Sequence, residues 1–328
     1  MIKISLLFIS VLTLFLFMIP GFILRKTKLA DKSYAKDLSL LTLYVAQIAL
    51  ILHGFIVDFD LSVFKGVITV FILALIIHIV FYVIAINLFK KAPDKIRRVL
   101  QFGVIFSNAG YMGIPVINDV FDESYTIYAT VYIVIFNIFA FTLGRLIYTS
   151  DKKYISIKEA IINPAVLPIL IGLVLYLTGA GGWIKSAATV EGFTHPILHE
   201  GFGVFYNVLT VLKNMVAPAS MMVIGARLAD IDFKGIFKDK YMYPFVAIRL
   251  FIFPVIIWGI LKLISLTGLL SQDIMAVVLI LCSTPAAAVT TMFAELYNGD
   301  SPYAGKLVAL TTVLSVISMP IVALLLYI

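Results

Sequence analysis

Ten stretches of about 20 mostly apolar residues follow one another along the chain, and each is long enough to cross a lipid bilayer as a helix. Backbone groups inside a membrane must be hydrogen-bonded within the segment, and the sequence lacks the alternating pattern of a membrane β-barrel. It therefore predicts an all-α polytopic membrane protein with ten transmembrane helices. Numbered helices 1 to 10, the stretches are residues 4–24, 37–57, 66–89, 98–119, 125–148, 161–179, 204–228, 242–265, 272–296 and 305–327.

Composition supports the membrane assignment. Of the 328 residues, 62% are hydrophobic and 13% are charged, whereas a soluble domain is roughly 45–50% apolar and about a quarter charged. A water-soluble globule could not bury so much apolar surface, which disfavours a soluble enzyme, a secreted disulfide scaffold and a disordered chain. The single cysteine, Cys282, excludes an intrachain disulfide and a multi-cysteine metal site.

Lysines and arginines are distributed unevenly between the two sides that ten helices would create. Nineteen lie in or beside connections 1–2, 3–4, 5–6, 7–8 and 9–10, and three lie on the other side. The positive-inside rule places the nineteen in the cytoplasm. We therefore expect a multi-pass protein of the cell (plasma) membrane, embedded in the lipid bilayer with both termini outside. The net charge of +7 is then explained by the orientation of the protein in the membrane. We therefore expect no nucleic-acid partner.

The chain divides into two halves of five helices. A short polar linker near residues 150–160 separates a first five-helix repeat, 1–155, from a second, 156–328. Because five is odd, the two halves insert with opposite orientation, which is a common design of secondary transporters. We therefore predict two inverted repeats, in which helices 4 and 9 occupy the same place.

Helices 4 and 9 carry small residues and a proline near the middle of the membrane, where such residues weaken a helix and free its backbone groups. Free groups are tolerated there only where they line a cavity or contact protein, and the N-terminus of a half-helix attracts anions. A simple proline kink, or close packing of small residues, is the alternative interpretation. The substrate-binding residues that we predict are Asn108, Gly110, Gly113 and Pro115 of helix 4 and Ser283, Thr284, Pro285 and Ala286 of helix 9.

Ionisable residues inside a membrane are functional candidates. Arg249 of helix 8 is predicted to bind a substrate carboxylate or to neutralise an internal acid, and His78 of helix 3 is predicted to take up a coupling proton. Gln47 of helix 2 and Asn137 of helix 5 are weaker candidates for coupling. The structural alternatives are a core histidine, an arginine that extends to the cytoplasmic interface, and helix–helix hydrogen bonds.

Motifs of other functional classes are missing from the sequence. It contains no His-Glu-x-x-His pattern of a metallopeptidase, no Gly-x-Ser-x-Gly pattern of a hydrolase and no phosphate-binding loop of an ATP-driven pump. We therefore expect that the protein is not an enzyme. We also expect no metal site and no cofactor other than a coupling proton or sodium ion.

Several motifs, in this order along nearly the whole chain, resemble the auxin efflux carrier family, whose fold is related to that of bile-acid sodium symporters. They are Asn108-x-Gly110-x-x-Gly113-x-Pro115, Asn163-Pro164 with Gly172, Ala217-Pro218 with Gly225-Ala226-Arg227-Leu228, the run Phe293-Ala294-Glu295-Leu296-Tyr297-Asn298, and Pro320.

The resemblance implies a scaffold of helices 1, 2, 6 and 7 that forms a homodimer, and a moving transport core of helices 3–5 and 8–10. Helices 4 and 9 would cross at the substrate site, and Asn108 would hold a carboxylate. Plant members of the family have a long cytoplasmic loop between helices 5 and 6, which this chain lacks. They also carry a Gln-Gly pair where it has Ala286 and Ala287. These differences disfavour auxin as the substrate.

The sequence thus predicts a secondary active transporter, an elevator-type carrier, of a small organic anion such as a carboxylate. A channel, or a membrane-embedded receptor or sensor that binds a ligand without moving it, is the alternative. A channel would show a selectivity filter or rings of pore-lining residues, which are not evident.

Overall fold

A computed structural model describes residues 4–31, 33–121, 123–149, 166–189, 196–231 and 238–328, and these ranges contain helices but no strands. Seven helices are long and apolar enough to cross a membrane, and an eighth span results if one bent pair is taken together. The all-α membrane fold is therefore confirmed, whereas the count of ten and the inverted repeats stay predictions.

We label the elements to match the ten predicted stretches. In chain order they are α1 (Ile4–Lys26), α2 (Tyr34–Phe55), α3 (Leu61–Ala85), α4a (Asp94–Ile105), α4b (109–120), α5 (Thr126–Thr149), α6a (Leu167–Leu177), α6b (Ala180–Thr189), α7 (His199–Ala229), α8 (Met242–Ser265), α9a (Gln272–Ser283), α9b (Val289–Leu296) and α10 (Ser301–Tyr327).

The interruption of α4 covers residues 106–108, including Asn108, and does not lie at Pro115. α4a ends at Ile105, three residues are unwound, and α4b begins with a widened π-type turn over Ala109–Gly113. Pro115 follows that turn inside α4b. A proline has no N–H to donate and its ring clashes with the preceding turn of an α-helix, and a widened turn accommodates both defects.

The interruption of α9 lies at its proline, as the sequence predicts. Thr284 has ψ of 153°, the extended conformation that a following proline imposes. Residues 284–288, which include Pro285, are unwound, and α9b begins at Val289.

The predicted sixth span, 161–179, is bent. Its first residues lie outside the described ranges, and α6a is followed after Gly179 by the short helix α6b at an angle of 84°. Gly179 has φ of +74°, a left-handed conformation that glycine adopts without the clash of a Cβ atom. The chain therefore turns at a residue that the sequence analysis placed at the end of a span.

Two glycines let α1 and α7 approach each other at backbone distance. A Cβ atom on Gly21 would lie 2.0 Å from the carbonyl oxygen of Met222, and one on Gly225 would lie 1.9 Å from that of Met18. Small residues of this kind allow close packing of membrane helices, where lipid offers no hydrophobic driving force.

The remaining packing forms two groups of helices. In the first, α2 packs against α6a and the first half of α7, and α7 also packs against α1. In the second, α3 packs against α5, α8 against α9a, and α9b against α10. The first half of α1 contacts α10 and α4b, so it joins the two groups. The interruptions of α4 and α9 both lie within the second group.

Candidate functional site

The unwound segments of α4 and α9 pair with each other in an antiparallel arrangement. The backbone N–H of Asn108 donates to the carbonyl oxygen of Pro285 at 2.8 Å, and that of Ala287 donates to Phe106 at 2.9 Å. Ser107 and Ala286 form the bridge between the two bonds. The interrupted helices therefore cross, as the resemblance implies, and each break satisfies backbone groups of the other.

A small cavity lies at this crossing. Its volume is about 30 Å³, which is room for about two water molecules. α4b and α9b both begin at its wall, and α2 contributes two lining residues. The lining residues are Leu43, Gln47, Ser107, Asn108, Gly110, Tyr111, Ile133, Phe136, Asn137, Ala287, Ala288 and Val289.

The side chain of Asn108 presents an unpaired donor to the cavity. The residue is 3% exposed, and its Nδ2 has no hydrogen-bond partner within the described part of the chain. The backbone carbonyl oxygen of Asn108 accepts hydrogen bonds from the backbone N–H groups of Met112 and Gly113, which fixes the start of α4b. A buried amide donor without an acceptor is costly, since burial removes its bonds to water. The cavity thus offers a donor that an anion would satisfy.

The ends of two half-helices add to this polarity. Gly110 and Tyr111 in the first turn of α4b, and Ala288 and Val289 at the start of α9b, line the cavity. The first N–H groups of a helix have no partner within it, and they carry about half a positive charge in sum. Two such ends converge on one cavity, so its wall favours negative charge although its described lining residues include no basic side chain.

Four of the predicted residues meet at the cavity: Asn108, Gly110, Gln47 and Asn137. Gln47 approaches Gly110 closely, because a Cβ atom on Gly110 would lie 3.2 Å from Gln47 Nε2. Asn137 donates its amide to the Ile133 carbonyl of its own helix at 3.0 Å. The site therefore combines the crossing with polar residues of α2 and α5.

The other predicted residues of the crossing do not line the cavity. The hydroxyls of Ser283 and Thr284 donate to the carbonyls of Ile280 and Leu281 in their own helix. Pro285 and Ala286 form the paired segment, and Gly113 and Pro115 lie further along α4b. These residues determine the shape of the crossing. That they contact the substrate directly stays a prediction.

Arg249 lies on the crossing but outside the cavity lining. The residue is fully buried, so its side chain does not extend to the interface. Its guanidinium donates to the carbonyl oxygens of Val104 at 3.3 Å, Cys282 at 2.9 Å and Thr284 at 2.7 Å. These carbonyls lie at the C-terminal ends of α4a and α9a, whereas the cavity lies at the N-terminal ends of α4b and α9b.

His78 is also fully buried and outside the cavity lining. Its Nδ1 donates to the Ala74 carbonyl of its own helix at 2.8 Å, and Nε2 has no partner among the described residues. Aromatic rings surround it at centroid distances of 5.2–6.2 Å: Phe106, Tyr132, Phe136 and Phe139. A role in coupling stays a prediction.

Two further pockets follow one another between the cavity and one side of the protein, a narrow one called the neck and a larger one called the vestibule. The neck shares Ala288 with the cavity, and it shares Arg227, Thr291 and Gly305 with the vestibule. The vestibule lies at the side that the positive-inside rule assigns to the cytoplasm. Its charged lining residues are Lys36, Arg227, Asp230, Glu295 and Lys306.

Positive charge predominates in this vestibule. Among the lining residues that the structure describes, three of the five charged ones are basic, and the acidic Asp230 is paired with Arg25 at 2.9 Å. Such a charge balance attracts anions and raises their local concentration. The sequence does not reveal that these lysines and arginines converge, because their convergence depends on the packing of α7 against α10.

Most cavity residues that were not predicted carry no chemical signal of their own; the exceptions are Ser107 and Tyr111, which each bring a hydroxyl group to the lining. Ala287, Ala288 and Val289 line the cavity through their position at the start of α9b, and Leu43 and Phe136 supply apolar wall. The run of alanines after Pro285 was the one available sign that the chain passes close to another element there. Within the described ranges, no group of three His, Cys, Asp or Glu side chains could hold a metal ion.

Comparison with known proteins gives the family. The chain matches the family described as "Membrane transport protein" over residues 6–323. None of the curated proteins compared with it matches. The several apolar helices together with this family make it a multi-pass membrane protein. Because the match spans nearly all of its length, the chain belongs to the membrane transport protein family, the auxin efflux carrier family, whose members are transporters rather than enzymes.

Proposed function

We propose that this protein is a secondary active transporter of a small organic anion, most simply a carboxylate, and that the anion binds in the cavity at the α4–α9 crossing. The observation that carries the proposal is the unpaired, buried Asn108 amide beside two half-helix N-termini. Amide and backbone N–H donors match the oxygen atoms of a carboxylate, and bonds to an ionised acceptor are stronger than neutral ones.

The walls of the cavity favour an organic anion over an inorganic one. Leu43, Ile133, Phe136 and Val289 supply apolar surface next to the polar crossing. A ligand with a charged end and an apolar body would use both parts, as small-molecule sites commonly combine apolar walls with a few polar groups. The lining residues that the structure describes include no ionised side chain, so a single negative charge is the best match.

We further propose an elevator-type movement of the second helix group past the first. The cavity lies between the crossing and the α2 residues Leu43 and Gln47. Since about 30 Å³ is too small for a whole organic acid, a ligand can enter only when α2 and the crossing separate. Access through the vestibule on one side, followed by movement of the crossing with its bound ligand, would expose the site to the two sides of the membrane in turn.

The proposal includes orientation and assembly. Both termini would face outward from the plasma membrane, because the basic connections lie on the opposite side. The first helix group would form the homodimer that the resemblance implies. The charge excess of the vestibule would then draw anions from the cytoplasm.

Transport by purified protein in proteoliposomes tests the function. We expect saturable uptake of a radiolabelled carboxylate, accelerated by unlabelled carboxylate on the opposite side, because a carrier exchanges its ligand. Asn108→Ala removes one bond to a charged group, worth about 1.5–3 kcal/mol, so affinity should fall about 10- to 100-fold. The control is Asn87→Ala, since Asn87 is exposed and donates only within its own helix end.

The alternatives give different results in the same assay. Flux that rises linearly with concentration and shows no exchange would indicate a channel. Binding without flux would indicate a receptor or sensor. Unchanged transport by Asn108→Ala would refute the assignment of the site.

A further inference from the structure

Arg249 binds the C-terminal ends of both broken helices at once. Its Nη1 atom donates to Val104 near the end of α4a, and its Nη2 atom donates to Cys282 and Thr284 at the end of α9a. The last carbonyls of a helix have no partner within it. At an interruption inside a membrane, water cannot replace that partner. The guanidinium therefore satisfies carbonyls that the two interruptions would otherwise leave exposed.

This charge is compensated by backbone alone. Arg249 is fully buried, and no carboxylate of the described residues forms an ion pair with it. A buried charge without compensation is strongly unfavourable. Each helix C-terminus carries about half a negative charge, so the two ends together match the single positive charge of the guanidinium.

Converging carbonyls of unwound helices are also the ligands with which secondary transporters bind a coupling cation. We propose that the crossing contains a monovalent-cation site whose permanent occupant is the guanidinium of Arg249, so that no sodium ion binds there. That the Arg249 guanidinium occupies this site does not depend on which substrate the protein carries. The consequence that sodium does not drive transport through the crossing rests on the proposed carrier function.

The proposal assigns opposite roles to the two faces of the crossing. The N-terminal ends of α4b and α9b line the cavity, where an anion would bind and leave in each cycle. The C-terminal ends of α4a and α9a face Arg249, which is covalently part of the chain and cannot leave. Positive charge therefore stays with the crossing in every state of the cycle.

Chemical rescue tests the site without any carboxylate. Arg249→Ala removes the guanidinium and leaves the carbonyl ligands, so low-millimolar guanidinium should stabilise this variant. We expect a saturable rise in apparent melting temperature, compared with choline at equal ionic strength, that the wild type lacks. Arg227→Ala, which removes a guanidinium from the neck, is the matched control and should show no rescue. Rescue absent in Arg249→Ala, or equal in all three proteins, would overturn the proposal.

A second pair of variants covers the case in which Arg249→Ala does not fold. Arg249→Lys keeps the positive charge, whereas Arg249→Met keeps much of the volume without it. The lysine variant should have the higher melting temperature and the higher yield of monodisperse protein. Equal instability of both variants would show that the crossing needs no cation, which contradicts the proposal.

Transport then tests the consequence for coupling. In proteoliposomes, an inward sodium gradient and an inward choline gradient should give equal rates of carboxylate uptake. A sodium-dependent increase that is saturable would overturn the consequence. If no uptake of any carboxylate is measurable, the carrier function fails, while guanidinium rescue still decides the cation site.

Discussion

The backbone N–H of Asn108 donates a 2.8 Å hydrogen bond to the carbonyl oxygen of Pro285. This bond joins the two interruptions of the fold through main-chain atoms. Side-chain substitutions at residue 108 should therefore leave the crossing intact while they change the cavity. Function and folding can be separated at this residue, which makes it the natural target for experiments.

Gly110→Ala should reduce carboxylate binding without unfolding the protein. The new methyl group would project toward the cavity, 3.2 Å from Gln47 Nε2, and one misplaced methyl group in a binding pocket costs about 10-fold or more in affinity. Alanine is a better helix former than glycine by about 0.5–1 kcal/mol. This gain offsets part of the steric cost at Gln47, so the free energy of unfolding should change little. Ligand titration followed by thermal shift measures both quantities.

The matched control for Gly110→Ala is Gly259→Ala. A Cβ atom on Gly259 meets nothing within 4 Å, so this variant should bind carboxylate as the wild type does. Equal affinity of Gly110→Ala and the wild type would show that the ligand does not use this cavity wall.

Thr311→Val should destabilise the crossing. The Thr311 hydroxyl accepts a 3.3 Å bond from the N–H of Ala286 in the unwound segment of α9. Valine has the same shape but leaves this buried N–H without a partner, which costs about 1–3 kcal/mol. The neighbouring Thr312 donates only to its own helix, at Val308, so Thr312→Val should be close to neutral. Equal melting temperatures of the two variants would contradict this role of Thr311.

The start of α3 should show a defined pH dependence. Asp60 Oδ1 accepts the backbone N–H groups of Val63 at 3.0 Å and Ser62 at 2.6 Å. These two bonds hold the pKa of the Asp60 carboxyl below its ordinary value. A lowered pKa in the folded state means that the ionised cap stabilises the protein above the ordinary pKa. This contribution is lost as the pH falls through the folded-state pKa.

The comparison for that prediction is Asp60→Asn, because asparagine caps a helix without titrating. The difference in melting temperature between wild type and Asp60→Asn should change between neutral pH and about pH 3, where an aspartate titrates. The wild type should lose the larger share of its stability over that range. A constant difference would show that the ionised form of Asp60 has no advantage at this position.

Sequence reasoning succeeded where a residue type has one dominant physical effect. Proline and small residues in helices 4 and 9 predicted interruptions, and both helices are interrupted. That Asn108 donates to a substrate there stays a prediction. Asn108, Gly110, Gln47 and Asn137 do line one cavity. The exact position of the interruption of α4, at residues 106–108 instead of at Pro115, depends on pairing with α9, which no local pattern reveals.

The position of Arg249 illustrates what the sequence could not show. A charged residue inside a membrane indicates some partner, and a carboxylate of the substrate or of the protein was the natural expectation. Its partners are the carbonyls of Val104, Cys282 and Thr284. Because every residue carries a backbone carbonyl, the sequence does not mark these three as partners of Arg249. They are identified only by their position at the ends of two helices. The bend at Gly179 was missed for a related reason, since a left-handed glycine leaves hydropathy unchanged.

Whether the cavity at the crossing binds an organic anion is tested most directly by carboxylate-dependent thermal stabilisation of the wild type and of Asn108→Asp, with the monocarboxylates acetate, butyrate and benzoate as probes. We expect a saturable shift in the wild type, since a ligand at 100 times its dissociation constant stabilises by about 2.7 kcal/mol. Asn108→Asp, of nearly equal size, replaces the amide donor with a negative charge and should abolish the shift. A shift of equal size in both proteins, or none with any probe, would contradict anion binding in this cavity.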